Sequence, residues 1–159
     1  MAATDTNAES PRGALTRKTN DLGPTGRCVA ANIARLRNAR GLSTYRLSDA
    51  LAALGRHVPP SAITRIEGGT RRVDVDDLMA FAVTLDVSPI ALLLPPTIDG
   101  QTQITGAGEV PDPNAWAWAM AEQPLSLPDD DDGQAWNDFQ TYSRPPGLRH
   151  YRGSTPSRQ

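Results

Sequence analysis

The 159-residue chain has one cysteine, two histidines, one lysine and no long apolar run. A single Cys28 excludes an internal disulfide and any cysteine-rich zinc site. His57 and His150 are far apart and neither has a CxxC or HxxxH partner, so no metal site is expected. The only lysine, Lys18, precedes residue 24, so the last 64 residues contain none to activate a serine, which removes a Ser–Lys hydrolase. There is no phosphate-binding loop and no Cys–His pair, and neither enzymatic activity nor a cofactor is expected. No apolar run, Ile90 to Leu94 included, is long enough to span a bilayer. The opening MAATDTNAESPRG lacks the basic start and apolar centre of a secretory signal, and the expected location is the cytoplasm, without membrane contact.

What is present divides into three parts. Hydrophobic residues make up 38% of the chain, with 14 Pro and 13 Gly, so long non-regular segments are expected. The net charge of −2 hides an uneven distribution. Residues 1–24 carry three basic and three acidic side chains, residues 25–95 nine and six, and residues 96–159 four and nine. A mildly basic middle is the kind of surface that meets nucleic acid, and an acidic tail is not. Residues 1–24, with only Leu15 and Leu22 to anchor them, are expected to be a disordered arm.

Apolar periodicity places five helices in residues 25–95. Val29, Ile33 and Leu36 recur at i, i+4, i+7 between a Thr25 N-cap and a Gly41 stop. Leu47, Ala50, Leu51 and Leu54 form the stripe of a second helix capped by Ser43. A third spans about 60–67, with Ile63 and Ile66 inward and Gly68-Gly69 ending it. A fourth begins near Asp74, with acidic residues in its first turn and an apolar face of Val75, Leu78, Met79, Ala82 and Leu85. Ser88-Pro89 opens a short fifth helix to about Leu94, some of whose leucines are expected to form an apolar patch for a second copy. The predicted fold is all-α, a compact five-helix domain followed by a largely irregular acidic tail. In that tail Thr102–Thr105 and Trp116–Trp118 alternate weakly as strands, and the Asp129–Asp132 run is expected to be solvated and to break any helix. Trp116, Trp118 and Trp136 either dock back on the helices or anchor a protein partner.

The pair of helices over 43–67 has the features that DNA reading requires. The major groove of B-form DNA admits one helix, whose N-terminal residues meet base edges while the preceding helix lies across the backbone. The inserted helix therefore needs small or polar side chains on its outward N-terminal part, and Ser61, Ala62, Thr64 and Arg65 are the candidates. Arg65 is its only long base-reading side chain, and arginine pairs with guanine O6 and N7. Without Asn or Gln in that helix, bidentate adenine reading is not expected. Ser43, Thr44, Arg71 and Arg72 are the candidate phosphate contacts.

The stretches NIARLRNARGLS and SAITRIEGGTRRVDVDDLMAFAVTLDVSPIALLL resemble the Xre-type, lambda-repressor-like helix-turn-helix family over Ala31 to Leu94. The resemblance implies a sequence-specific transcriptional regulator, a repressor, working as a homodimer on a two-fold double-stranded DNA operator. It also implies a structural clasp between Arg37 and Glu67, tying the first helix to the third. The chain departs from the family in a longer turn, AALGRHVPP, from which Arg56 and His57 could bulge toward the DNA backbone. Pro60 also stands where the family often has a polar base contact. The alternative is an antitoxin-like or adaptor protein that uses the tryptophan-bearing tail.

Overall fold

The computed structural model describes residues 21–152. The expected N-terminal arm lies outside them except for its last four residues. Among the described residues the chain is mostly helical with one small sheet. The helices are α1 (Pro24–Ala39), α2 (Thr44–Ala53), α3 (Pro60–Glu67), α4 (Val75–Thr84), α5 (Ile90–Leu93), α6 (Asp112–Ala119) and α7 (Gln134–Ser143). A hairpin of β1 (Gln101–Ile104) and β2 (Gly108–Pro111) pairs antiparallel, with Thr102 opposite Val110.

One core joins α1 to α5. Val29, Ile33 and Leu36 of α1, Leu47 and Leu51 of α2, Ile63 and Ile66 of α3, Phe81, Ala82 and Leu85 of α4, and Leu92 of α5 are all buried together. Ser43 caps α2 by accepting from the Arg46 amide at 3.1 Å, and Asp74 caps α4 by accepting from the Asp77 amide at 2.7 Å. Three expected core members turn out to lie outside. Leu54 is the C-cap of α2, past the last inward position, and is exposed. Its place is taken by Val58, which the extended turn folds inward to 1% exposure, while the Ser48 hydroxyl donates to the Val58 carbonyl at 2.7 Å. On α4 the inward arc runs through Leu78, Phe81, Ala82 and Leu85. Val75, in the first turn, and Met79 sit beside that arc and are exposed, as is Val83.

The start of α1 is also shifted. Pro24 occupies the first turn and Gly23 is the N-cap, so Thr25 is free for another task. Its hydroxyl accepts from the Thr105 amide at 3.0 Å and its amide donates to the Thr105 hydroxyl at 3.4 Å, which pins the hairpin to the start of α1.

The expectation of an all-α chain with a largely irregular tail is corrected by this hairpin and by α6 and α7. The Trp116–Trp118 segment is helical, not extended. Its AWAWA sequence alternates like a strand, but alanine favours helix, Pro113 suits a first turn, and Asp112 complements the dipole there. Two residues apart on a helix point to different sides. Trp116 therefore packs inward with Leu94, Ile104, Val110 and Ala115, and Trp118 faces out. The buried Asp112 accepts from the Thr97 hydroxyl at 2.9 Å and the Gly100 amide at 3.2 Å, closing the loop before β1. The acidic run at 129–132 is non-helical and mostly exposed, as expected, and its last two members also serve α7: Asp131 and Asp132 accept from the Ala135 and Gln134 amides in its first turn.

The chain on both sides of Pro95 is held by definite bonds. The buried Asn32 of α1 donates to the carbonyls of Leu92 and Leu94 at 3.1 and 2.7 Å. The Trp116 indole donates to the Pro95 carbonyl at 3.1 Å. Leu93 and Ile90 pack under the hairpin and α6, and Leu94 is buried there. The apolar patch expected on α5 for a second copy is thus covered by the chain's own later residues.

Candidate nucleic-acid interface

Helix α3 forms because Pro60 supplies a pre-set first turn and a short inward stripe follows it. Ala62, Ile63 and Ile66 are buried, at 3% exposure or less, and Ser61, Thr64 and Arg65 are exposed. Ala62 is thereby corrected as a base-reading candidate: it is buried with Ile63 and Ile66 in the common core rather than placed at the edge of the open face. The remaining three side chains share one outward surface.

Their chemistry differs. The Thr64 hydroxyl donates back to the Pro60 carbonyl at 3.1 Å, leaving its lone pairs and methyl group outward. Arg65 has no ion pair or side-chain hydrogen bond among the described residues. Its guanidinium is available to an external acceptor. After α3 the chain turns through Gly69 at φ +70, a conformation that favours glycine. The amides of Thr70 and Arg71 both return to the Arg65 carbonyl, at 2.9 and 3.1 Å, so the basic loop is fixed against the end of the helix.

The two arginines in that loop are not alike. Arg72 is exposed and donates to the Asp21 carbonyl at 3.2 Å. Arg71 is half-buried and its guanidinium lies 3.8 Å from the buried Asp77 carboxylate. Of the two expected phosphate contacts, only Arg72 is without a carboxylate partner among the described residues. At the start of α2, Ser43 and Thr44 are at the surface, and Ser43 keeps its hydroxyl hydrogen because it serves the cap as acceptor. Two neighbours were not singled out from the sequence, Tyr45 and Arg46, both exposed. Their phase beside the buried pair Leu47-Ser48 puts them outward in the first turn, which is the signal that could have found them.

Arg37 and Glu67 meet in a two-point ion pair, Nε to Oε1 at 2.6 Å and Nη2 to Oε2 at 2.9 Å, while Nη1 donates to the Leu42 carbonyl at 2.7 Å. Both side chains are about 85% covered, from exposures of 15% and 13%. The Glu67 bond holds the Arg37 guanidinium above its ordinary pKa, and Arg37 is committed to the fold.

The long turn does not bulge toward solvent with Arg56. Gly55 takes φ +79, Val58 enters the core, and Arg56 swings to α4. Its Nη2 donates to both Asp74 oxygens at 3.0 and 2.9 Å, and its Nε to Asp77 at 2.6 Å. His57 stays exposed.

Of the tryptophans, Trp116 bonds Pro95, and Trp136 donates to the His150 carbonyl at 3.2 Å beneath the Arg152 guanidinium, 3.5 Å from its ring centre. Only Trp118 is exposed. Among the described residues no three His, Cys, Asp or Glu side chains gather as metal ligands, and no helix is long and apolar enough to cross a membrane. Compared with protein-family models, with curated proteins and with solved structures, the chain matches none.

Proposed function

We propose that this chain is a sequence-specific DNA-binding transcriptional regulator with a lambda-repressor-like five-helix domain, acting as a repressor by excluding polymerase from its operator. The observation that carries the reading is the division of α3. Its inner side is locked into the core by Ala62, Ile63 and Ile66, and its outer side presents Ser61, Thr64 and an unengaged Arg65. A helix displayed in this way, preceded by α2 with hydroxyls and Arg46 at its start, fits the groove-and-backbone arrangement of helix-turn-helix proteins. The working unit is a homodimer on half-sites about one helical turn apart.

A random-library selection with the purified protein tests the reading directly; enrichment of no motif would defeat it. Within an enriched site, Arg65→Ala is expected to cost about 1–3 kcal/mol and to relax one base position, read as guanine. Uniform weakening over all sequences would make Arg65 a phosphate contact instead. Arg72→Ala is expected to weaken all sequences alike and to make the dependence of log K on log salt shallower by about one. A slope equal to that of the wild type would remove Arg72 from the interface. The adaptor reading has less support, because the indoles of Trp116 and Trp136 are used within the chain.

A further inference from the structure

The recognition helix α3 is flanked by two arginines that converge on one buried carboxylate. Arg56 lies four residues before Pro60, the first residue of α3, and Arg71 lies four residues after Glu67, the last. Asp77, in the first turn of α4, has a side chain only 3% exposed. Its Oδ1 accepts from Arg56 Nε at 2.6 Å, and its Oδ2 is 3.8 Å from Arg71 Nη2. We propose that Asp77 is a positioning residue for DNA reading, a single carboxylate that grips the chain on both sides of α3 and sets the angle at which Ser61, Thr64 and Arg65 meet the bases. The inference rests on the DNA-binding reading above and adds a residue that touches no base.

The two grips are unequal, and the inequality has a use. Arg56 is oriented by a second carboxylate, since Asp74 takes its Nη2 through both oxygens. Asp74 in turn holds the Asp77 amide at 2.7 Å, so the Arg56 side is a closed network with α4's own N-terminus. Arg71 has only the longer approach to Asp77, beyond hydrogen-bond distance, and its side chain is 37% exposed. A phosphate oxygen offering a charge-assisted bond of ordinary length competes favourably with that contact. Arg71 is therefore the exchangeable partner: it leaves Asp77 for the DNA backbone while Arg56 keeps the helix set. Asp77 thus links the docking of the basic loop to the angle of the reading helix.

Asp77→Asn preserves volume and one acceptor but removes the charge. Both grips weaken, α3 gains freedom, and Arg71 is released. The expected result is a fall of about tenfold or more in the ratio of specific to non-specific DNA affinity. Non-specific affinity is unchanged or increased, because Arg71 no longer leaves a carboxylate to reach the phosphate, and the salt slope stays that of the wild type. A merely structural role would lower the melting temperature and affect both affinities together. Arg71→Ala is expected to do the opposite, lowering both affinities by a similar factor and leaving the ratio intact. Should Asp77→Asn fail to fold, Arg56→Lys serves in its place: lysine keeps the charge but cannot span Asp74 and Asp77 with a planar fork. It is expected to lower the ratio without raising non-specific affinity. Hydrogen exchange of the free protein supplies a readout without DNA, in which α3 amides open faster in the variant relative to α1 amides. An unchanged ratio in a folded variant overturns the proposal, as does unchanged exchange in α3. If the wild type shows no sequence preference at all, the DNA reading fails, and the exchange data alone still decide whether Asp77 sets α3.

Discussion

Glu67→Ala is expected to lower the unfolding free energy by about 2–3 kcal/mol, and the melting temperature by about 6–10 °C. The reason lies in what the substitution leaves behind. Arg37 would keep its bond to the Leu42 carbonyl but lose both bonds to the carboxylate, at a site where only 15% of its side chain meets water. Breaking a fully buried pair from one side costs about 3–5 kcal/mol, and the partial exposure here scales that down. The effect reaches the candidate interface because Glu67 is the last residue of α3, and the amide turn that carries the basic loop begins next to it. Thermal unfolding at neutral pH checks the value. An unchanged melting temperature would show that the pair contributes nothing net. The paired replacement Arg37→Met with Glu67→Leu is expected to recover much of the loss, since well-packed apolar residues replace a buried ion pair without leaving a charge unpaired.

How much could be read in the sequence depended on how local the signal was. The bounds of α3, the caps Ser43 and Asp74, and the inward residues of α1 follow from periodicity and end signals within single helices. Leu54 and Val58 show the limit of that approach. The period of α2 points to Leu54, but the helix ends one residue too soon, and the chain reversal at Gly55 brings Val58 to the vacancy. The same holds for Ala62, whose small size suits a groove as well as a core; only its packing in the shared core decides that it is buried. The hydroxyls and Arg65 of the candidate site were visible as residue types. The engagement of Arg56 and Arg71 was not, because their shared partner Asp77 is 21 residues from one in sequence and lies on another helix. The acidic residues of α4 were read as dipole partners, and Asp77 serves as an ion-pair centre as well.

The segment after Pro95 was the least readable, since its elements are short and lean on the helices through isolated bonds. Trp116→Ala is the sharpest probe of that arrangement and is expected to cost about 2–3 kcal/mol. A fully buried tryptophan truncated to alanine loses about 3–5 kcal/mol, and Trp116 is only half-buried, but its indole also satisfies the Pro95 carbonyl. Trp116→Phe retains most of the ring contact and should cost about 1 kcal/mol, the worth of the lost hydrogen bond. Trp118→Ala, on the outer side of the same helix, should cost less than about 1 kcal/mol. Denaturant unfolding of the three variants separates the two roles once open for these tryptophans. If Trp116 waits for a protein partner, its removal leaves stability unchanged. If it completes the core, the loss is felt across the chain in one transition, because Leu93 packs against both apolar clusters. Leu93, Ile90 and Leu94 would then lose their cover, and a face that the chain keeps for itself would be opened to a second copy.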